Sequence, residues 1–271
     1  MNHAVMIMGF GDDRIAQRTI DILDNKHIDF FIHWDKKFQL PHFKSKYSRI
    51  FYCRNRIDVK WGQYTEIQAE KELLHTVEEN NNDYDYVHLI SSSDIPLFTS
   101  NYFINYFTKD AYIGYKHPNL PRVEKRLSFY YPISRVDVRN KLWLIKIIKI
   151  TNYIFGINRL KNKKVKMGPQ WFTIKGKYVS QVLSFDDSIF KNSFLGDEEF
   201  IQMALPQFDP EVEVTDINAE ALRYIKWVGK GKPHPKTFSV KDVKELKKLI
   251  NTKYAFARKV SDPLVIDRVF D

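Results

Sequence analysis

Residues 84–98 read YDYVHLISSSDIPLF, and the way this run ends decides the fold. Tyr86–Ile90 has the composition of a buried strand, and it stops on three serines, Asp94 and an Ile-Pro. Serine, aspartate and proline all favour turns, so a plain turn is one reading. The other is the carboxyl end of a sheet strand, the edge at which open α/β sheets bind ligands. The flanking pattern favours the second. Residues 4–8 predict an apolar strand, GFGDD a turn, and Arg14–Asn25 a helix. A second strand (29–34) ends on Asp35 and two lysines, and RIFYC (49–53) is a third. A helix from about Tyr64 to Glu79, carrying Ile67, Leu73, Leu74 and Val77, precedes the 86–90 strand. A helix over Ser100–Phe107 and a strand over 111–115 follow it. Strands alternating with helices at this spacing predict an α/β fold with a mostly parallel central sheet flanked by helices.

After residue 115 the pattern loosens. It predicts a strand at 170–174, a helix at 177–183, and a helix at 197–205 with acids in its first turn, as the helix dipole favours. A strand at 221–227 and a helix at 239–250 with Ser239 as its N-cap come next. The tail YAFARKVSD is apolar and basic.

At 271 residues, 44% hydrophobic and 15% aromatic, the chain can bury a sizeable core as one large domain or two small ones. Its single cysteine, Cys53, excludes an internal disulfide framework and fits a reducing compartment. Lying in RIFYC, it reads as core packing. The N-terminus has neither the basic start nor the cleavage site of a secretory signal, and no run of about 18 apolar residues occurs. These features predict a cytoplasmic protein, soluble or peripheral at the inner face of the membrane.

The net charge of +10 is unevenly placed. Between Val138 and Phe185 there is no Asp or Glu, but there are eleven Lys and Arg. Within a predicted helix at 141–157, Lys141, Lys146, Lys149 and Asn152 fall in an arc of about 140°. Trp143, Leu144, Ile147, Ile150 and Ile154 lie outside that arc, whereas Leu142 and Ile145 fall inside it. RLKNKKVK (159–166) extends the basic run, making a basic helical insert over about 139–166. Such a helix either lies on an anionic membrane surface or packs on the core with a solvated basic edge; the pattern allows both. No reader motif for nucleic acid is present, so nucleic acid is not an expected partner.

GFG at 9–11 lacks the third glycine of a dinucleotide fingerprint, since Arg14 stands there. DYD at 83–85 precedes its strand, whereas a ligand-contacting carboxylate should follow one. The eight histidines form no metal-binding spacing, so no metal site is predicted. The carboxylates placed after strands or at helix starts are Asp35, Asp94, and Asp197 with Glu198 and Glu199.

These acids belong to an ordered set: AVMIMGFGDDRIAQRTI, FFIHWDKK, VKWGQYTEIQAEKELL, YDYVHLISSSDIPL, MGPQWFTIKGKYVSQVL, LGDEEFIQMAL, LRYIKW, PHPKTFSVKDVKELKKL and FARKVSD. Nine blocks in this order, over most of the chain, closely resemble the core-2/I-branching β-1,6-N-acetylglucosaminyltransferase family, which includes the peptide O-xylosyltransferases. Residues 116–165 depart from the animal members, whose N-terminal anchor and disulfides are also missing, so the chain resembles a compact bacterial relative.

The resemblance implies a single GT-A type nucleotide-sugar-binding domain over 1–271. Residues 1–115 would form the nucleotide-binding half and 116–271 the acceptor-binding and catalytic half. It implies an inverting transferase that uses a UDP-sugar donor and a glycan acceptor, with no divalent metal and no other cofactor. Glu198 matches the family's catalytic base. Lys259 matches its diphosphate-binding lysine, and Lys236, then Arg258, are candidates for a second cation. Asp35 matches the aspartate at the uridine end, and Met8 the main-chain contact to uracil. Ser92 and Asp94 would lie beside the donor sugar, the carboxylate accepting from sugar hydroxyls. Asp197, Trp171 and Trp227 are expected on the acceptor side. The transferred sugar is expected to be N-acetylglucosamine, joined in β-linkage to a surface or capsular glycan whose acceptor is lipid-linked. The rivals are a xylosyl or other pentosyl transferase of the same fold, and a non-catalytic glycan- or anion-binding protein.

Overall fold

The computed structural model describes residues 1–80, 83–117, 121–134, 136–160, 164–210, 212–227, 229 and 235–271. Residues 161–163 of the basic run and 232–234 of the loop before Lys236 lie outside the described residues.

The first half forms as the alternation predicts: β1 (His3–Gly9), α1 (Arg14–Leu23), β2 (Ile28–Trp34), β3 (Ile50–Tyr52), α2 (Tyr64–Glu79) and β4 (Tyr86–Ser91). β2 is buried throughout, and β1 is buried at every position but Met8, as expected for strands covered on both faces. Successive side chains go to opposite sides. Ala4, Met6, Phe31, Val87 and Leu89 pack with Ile67, Leu73 and Leu74 of α2. Val5, Ile7, Phe30, Ile32 and Ile90 pack on the other face with Ala16, Ile20 and Leu23 of α1. At Gly9 a Cβ would lie 2.0 Å from the ring of Trp34, so only glycine lets that indole close over the strand end. Cys53 is buried, and burial pushes its thiol up to about 12, consistent with core packing.

The chain continues through β5 (Asp94–Pro96), α3 (Ser100–Tyr106), β6 (Ala111–Tyr112), α4 (Pro121–Ser128) and α5 (Leu142–Ile154). It then forms β7 (Thr173–Lys175), α6 (Val179–Ser184), α7 (Asp197–Ala204), α8 (Ile217–Glu220) and β8 (Arg223–Ile225), and closes with α9 (Val243–Lys247), β9 (Phe256–Arg258) and α10 (Pro263–Phe270). The central sheet runs β3-β2-β1-β4-β7-β6, parallel from β3 to β4, with β7 antiparallel to both its neighbours. Strand order reverses between β1 and β4, so the carboxyl ends of these two strands frame the crevice where such sheets bind ligands.

A second sheet, β5-β9-β8, was not anticipated. The serine turn sends the chain into β5, and the apolar-basic tail becomes the central strand of the small sheet, pairing Arg258 with Asp94 and with Ile225. Ile95, Leu97 and Ala257 close this sheet over Val265, Ile266 and Val269 of α10. Both sheets join the two halves of the chain, since β4 pairs with β7 and β5 with β9.

Three readings change. The expected strand at 111–115 keeps only two ladder residues. The strand expected at 170–174 starts at Thr173, leaving Trp171 before the ladder. On α5 the packed face is the one expected to be polar. Ile145 and Asn152 are buried, and the Asn152 amide bridges the main chain of Tyr130, accepting from its N–H at 2.7 Å and donating to its carbonyl at 2.9 Å. Trp143, Ile147, Ile150 and Ile154, for which a membrane surface and the core were both allowed, are exposed.

Candidate active site

The carboxyl edge is stitched together by its main chain. The Ser92 N–H donates to the Met8 carbonyl at 2.9 Å, and the Asp35 N–H to the Gly9 carbonyl at 2.8 Å. Met8, Ser92 and Asp35 therefore share the β1–β4–β2 edge. The Met8 carbonyl is taken by Ser92, so its main chain is less open to a base than expected. At the same edge Phe10 is 54% exposed, and its ring centroid lies 6.0 Å from that of half-exposed Phe38, an aromatic pair the sequence reading missed. The Asp35 carboxylate is nearly buried and accepts from the Lys37 N–H at 3.0 Å and the Lys37 ammonium at 2.8 Å.

Asp94 corrects an expectation. It is fully buried, and its Oδ2 accepts from the Ser91 N–H and its Oδ1 from the Ser91 hydroxyl, both at 2.9 Å. Its Oδ1 also lies 3.6 Å from Nε of Arg258. The carboxylate faces the interior and positions a cation; it does not reach toward the sugar.

Arg258 is the centre of the arrangement. Its guanidinium lies 4.1 Å from the centroid of the Trp171 ring, a cation–π stack. Its Nη1 is buried with no hydrogen-bond partner among the described residues. A buried unmet donor costs about 1–3 kcal/mol, so it calls for an explanation. Burial lowers the pKa of Arg258, with Asp94 and then Glu198 opposing. One face of Trp171 is thus covered by Arg258, leaving less of it for an acceptor sugar. Lys259 follows, and its ammonium makes no ion pair or hydrogen bond among the described residues. Lys236 lies beside it through the main chain, but its ammonium pairs with Asp242, which also completes the capping box of Ser239. Of the two candidates for a second diphosphate cation, Arg258 is the one with a buried donor left unmet. Trp227 is 55% exposed and bridges to Pro235, on the Lys236 side of the edge.

Glu198 sits in the first turn of α7, its side chain 39% exposed. Arg126 of α4 donates to its Oε2 at 2.6 Å, and Oε1 makes no hydrogen bond among the described residues. The adjacent Asp197 and Glu199 are buried. Burial, with the nearby Glu198 charge, raises Asp197, and burial followed by Asp197 raises Glu66 well above the carboxylate range. The Glu66 and Asp197 carboxyls lie against each other, and that contact raises Glu66 further while lowering Asp197. Burial also raises Glu199 and Glu70. Glu198 and Glu66 are thus the partly exposed carboxylates of this cluster, whereas Asp197, Glu199 and Glu70 are buried.

Arg126, Glu66 and Arg223 were not read from the sequence. Arg223, fully buried, donates to the carbonyls of Ala221, Leu89 and Phe172 at 2.7–3.1 Å and locks the two sheets together. Asp85 of the DYD run accepts from the Asn2 N–H at the amino end of β4, away from this edge. A depression between β3 and α2, lined by Tyr52, Arg54, His75 and Glu79, contains none of these residues. Among the described residues no group of three or more His, Cys, Asp or Glu is placed to hold a metal ion.

A family model described as Core-2/I-Branching enzyme matches residues 4–249, which hold every element from β1 to α9. The chain belongs to the Core-2/I-Branching enzyme family. It is a glycosyltransferase, and its family implies a nucleotide-sugar donor and a glycan acceptor. Among solved structures it is similar to mouse xyloside xylosyltransferase 1 in its apo form, with 9% identity, 81% of this chain and 86% of that chain covered, and a TM-score of 0.31. No curated protein matches the chain. The mostly parallel, helix-flanked sheet is the one expected for this Core-2/I-Branching member. Among the described residues no helix is long and apolar enough to cross a membrane.

Proposed function

We propose that this protein transfers a sugar, N-acetylglucosamine, from its UDP donor to a glycan hydroxyl with inversion and without a divalent metal. The observation that carries this reading is Arg258: a largely buried guanidinium whose Nη1 is buried and unmet, stacked on Trp171, beside Lys259, and close enough to Glu198 for the two charges to interact. The leaving UDP gains charge on its diphosphate, and Arg258 and Lys259 stabilise that charge. Glu198, oriented by Arg126 and with Oε1 free, takes the proton of the acceptor hydroxyl as its oxygen attacks the anomeric carbon from the face opposite UDP. Glycan acceptors of surface or capsular polysaccharide, lipid-linked at the inner membrane face, suit the basic surface around α5.

Calorimetric titration with UDP and with uridine tests the cation assignment. A charge-assisted hydrogen bond contributes about 1.5–3 kcal/mol, so Lys259→Met should weaken UDP binding by roughly 10–150-fold. Uridine binding should change little. Equal losses for both ligands, or none for UDP, would remove Lys259 from the diphosphate site.

A further inference from the structure

We propose that α5 is an interfacial helix that lays its outer face on an anionic membrane surface. Its inner face is fixed to the protein by Ile145, in a cluster with Phe129, Tyr131, Val138 and Phe194, and by the Asn152 amide on the main chain of Tyr130. The outer face is apolar. Trp143, Ile147, Ile150 and Ile154 fall in an arc of about 60°, with Trp143 and Ile150 60% exposed and Ile154 72%. Tyr153 and Phe155 extend this surface at the carboxyl end of the helix. A contiguous exposed apolar face of this kind needs an occupant.

The charges around the face select the occupant. Lys146 stands exposed about 40° from the apolar stripe, with Lys149 and Lys141 exposed further round the helix, Lys125 lies over the ring of Tyr153, and no acid occurs between Val138 and Phe185. A core helix of another soluble protein would leave these cations unmatched, whereas an anionic lipid surface meets both the apolar stripe and its basic border. Trp143 and Tyr153 suit the headgroup level, where amphipathic rings settle.

The helix itself stands near the candidate site through its inner side. The charges of Lys149 and Arg126 are close enough to act on each other, and Arg126 pairs with Glu198. A lipid-linked acceptor would then be presented to Glu198 from the surface on which α5 lies. That last step rests on the assignment of Glu198; the docking does not.

Co-sedimentation of the full chain with phosphatidylglycerol-rich vesicles and with pure phosphatidylcholine vesicles tests the proposal. The wild type should bind the anionic vesicles and barely the neutral ones. Lys141→Glu with Lys146→Glu should lower binding by about thirtyfold or more, and Ile147→Ser with Ile150→Ser and Ile154→Ser should abolish it. Each variant should keep a cooperative thermal melt. Should one fail to fold, the wild type still decides: its tryptophan emission should shift blue on anionic vesicles, and Trp143→Phe should lose that shift. Absence of wild-type binding, or binding indifferent to lipid charge and to the lysine changes, would overturn the proposal. So would a concentration-dependent dimer that the isoleucine changes convert to monomer, because a second copy would then be the occupant. UDP binding by the same samples is a separate readout, so loss of the sugar-transfer reading and loss of this one are distinguishable.

Discussion

Glu198→Gln is expected to lower kcat by about 10²–10⁴-fold, the usual contribution of a positioned general base. The substitution keeps the size of the side chain and leaves an oxygen for Arg126, which in the native chain donates to Glu198 Oε2 at 2.6 Å. The first turn of α7 should therefore stay in place, and the affinity for UDP with it. What is lost is the basic oxygen opposite the donor. The surrounding acids do not replace it: Asp197 and Glu199 are buried, burial raises both, and Asp197 is occupied with Glu66. Steady-state kinetics beside a UDP titration separates the two effects. A fall in kcat below tenfold, with UDP affinity intact, would move the base elsewhere. A fall in UDP affinity equal to the fall in kcat/KM would make Glu198 a binding residue.

Asp94→Asn is expected to cost about 3–5 kcal/mol of stability, the range for stripping the partner from a buried charge. The native carboxylate is fully buried and faces two guanidiniums. One is Arg258, 3.6 Å away. The other is Arg223, whose pKa falls to about 9, chiefly through burial, with Asp94 opposing that shift and Arg258 adding to it. An amide still fills the space and can accept from Ser91, but it leaves both cations without a counter-charge. Against a total of about 5–15 kcal/mol for a typical protein, this loss is large. Urea unfolding should show a lower midpoint with an unchanged slope. In an Arg258→Met background the cost of Asp94→Asn should shrink, because one of the stranded cations is gone. A loss under 1 kcal/mol, or the same loss in both backgrounds, would rule out the ionic role.

β1, α1, β2, α2 and β4 were legible because each is long enough to show its own period. Mostly apolar β1 and β2 read as strands covered on both faces, and α2 shows its helical spacing in Ile67, Leu74 and Val77. The serine run was correctly placed at the carboxyl end of its strand, but its continuation into β5 was not. Three residues paired with a strand more than 150 positions later carry no local period. The same long-range pairing turned Asp94 inward, since the sequence shows a carboxylate after a strand and not which way it faces. Arg258 could be named by its block, but its stack on Trp171 depends on the small sheet that brings β9 against β5. α10 did carry a signal that went unread: Asp262 accepts from the Leu264 N–H as its N-cap, with Pro263 in the first turn. On α5 the charge pattern left two readings open and did not show that the Lys–Asn side carries the packed residues, because one buried amide, Asn152, bonds to Tyr130 and sets the rotation of the helix.

Release of UDP by the wild-type chain, measured across a panel of UDP-sugars in excess EDTA with a glycan acceptor present, addresses the site as a whole. UDP-N-acetylglucosamine should turn over at the same rate with and without the chelator, because Arg258 and Lys259 carry the charge of the leaving diphosphate. Turnover that disappears with EDTA and returns with a divalent cation would show that a metal, and not these two side chains, stabilises the departing UDP.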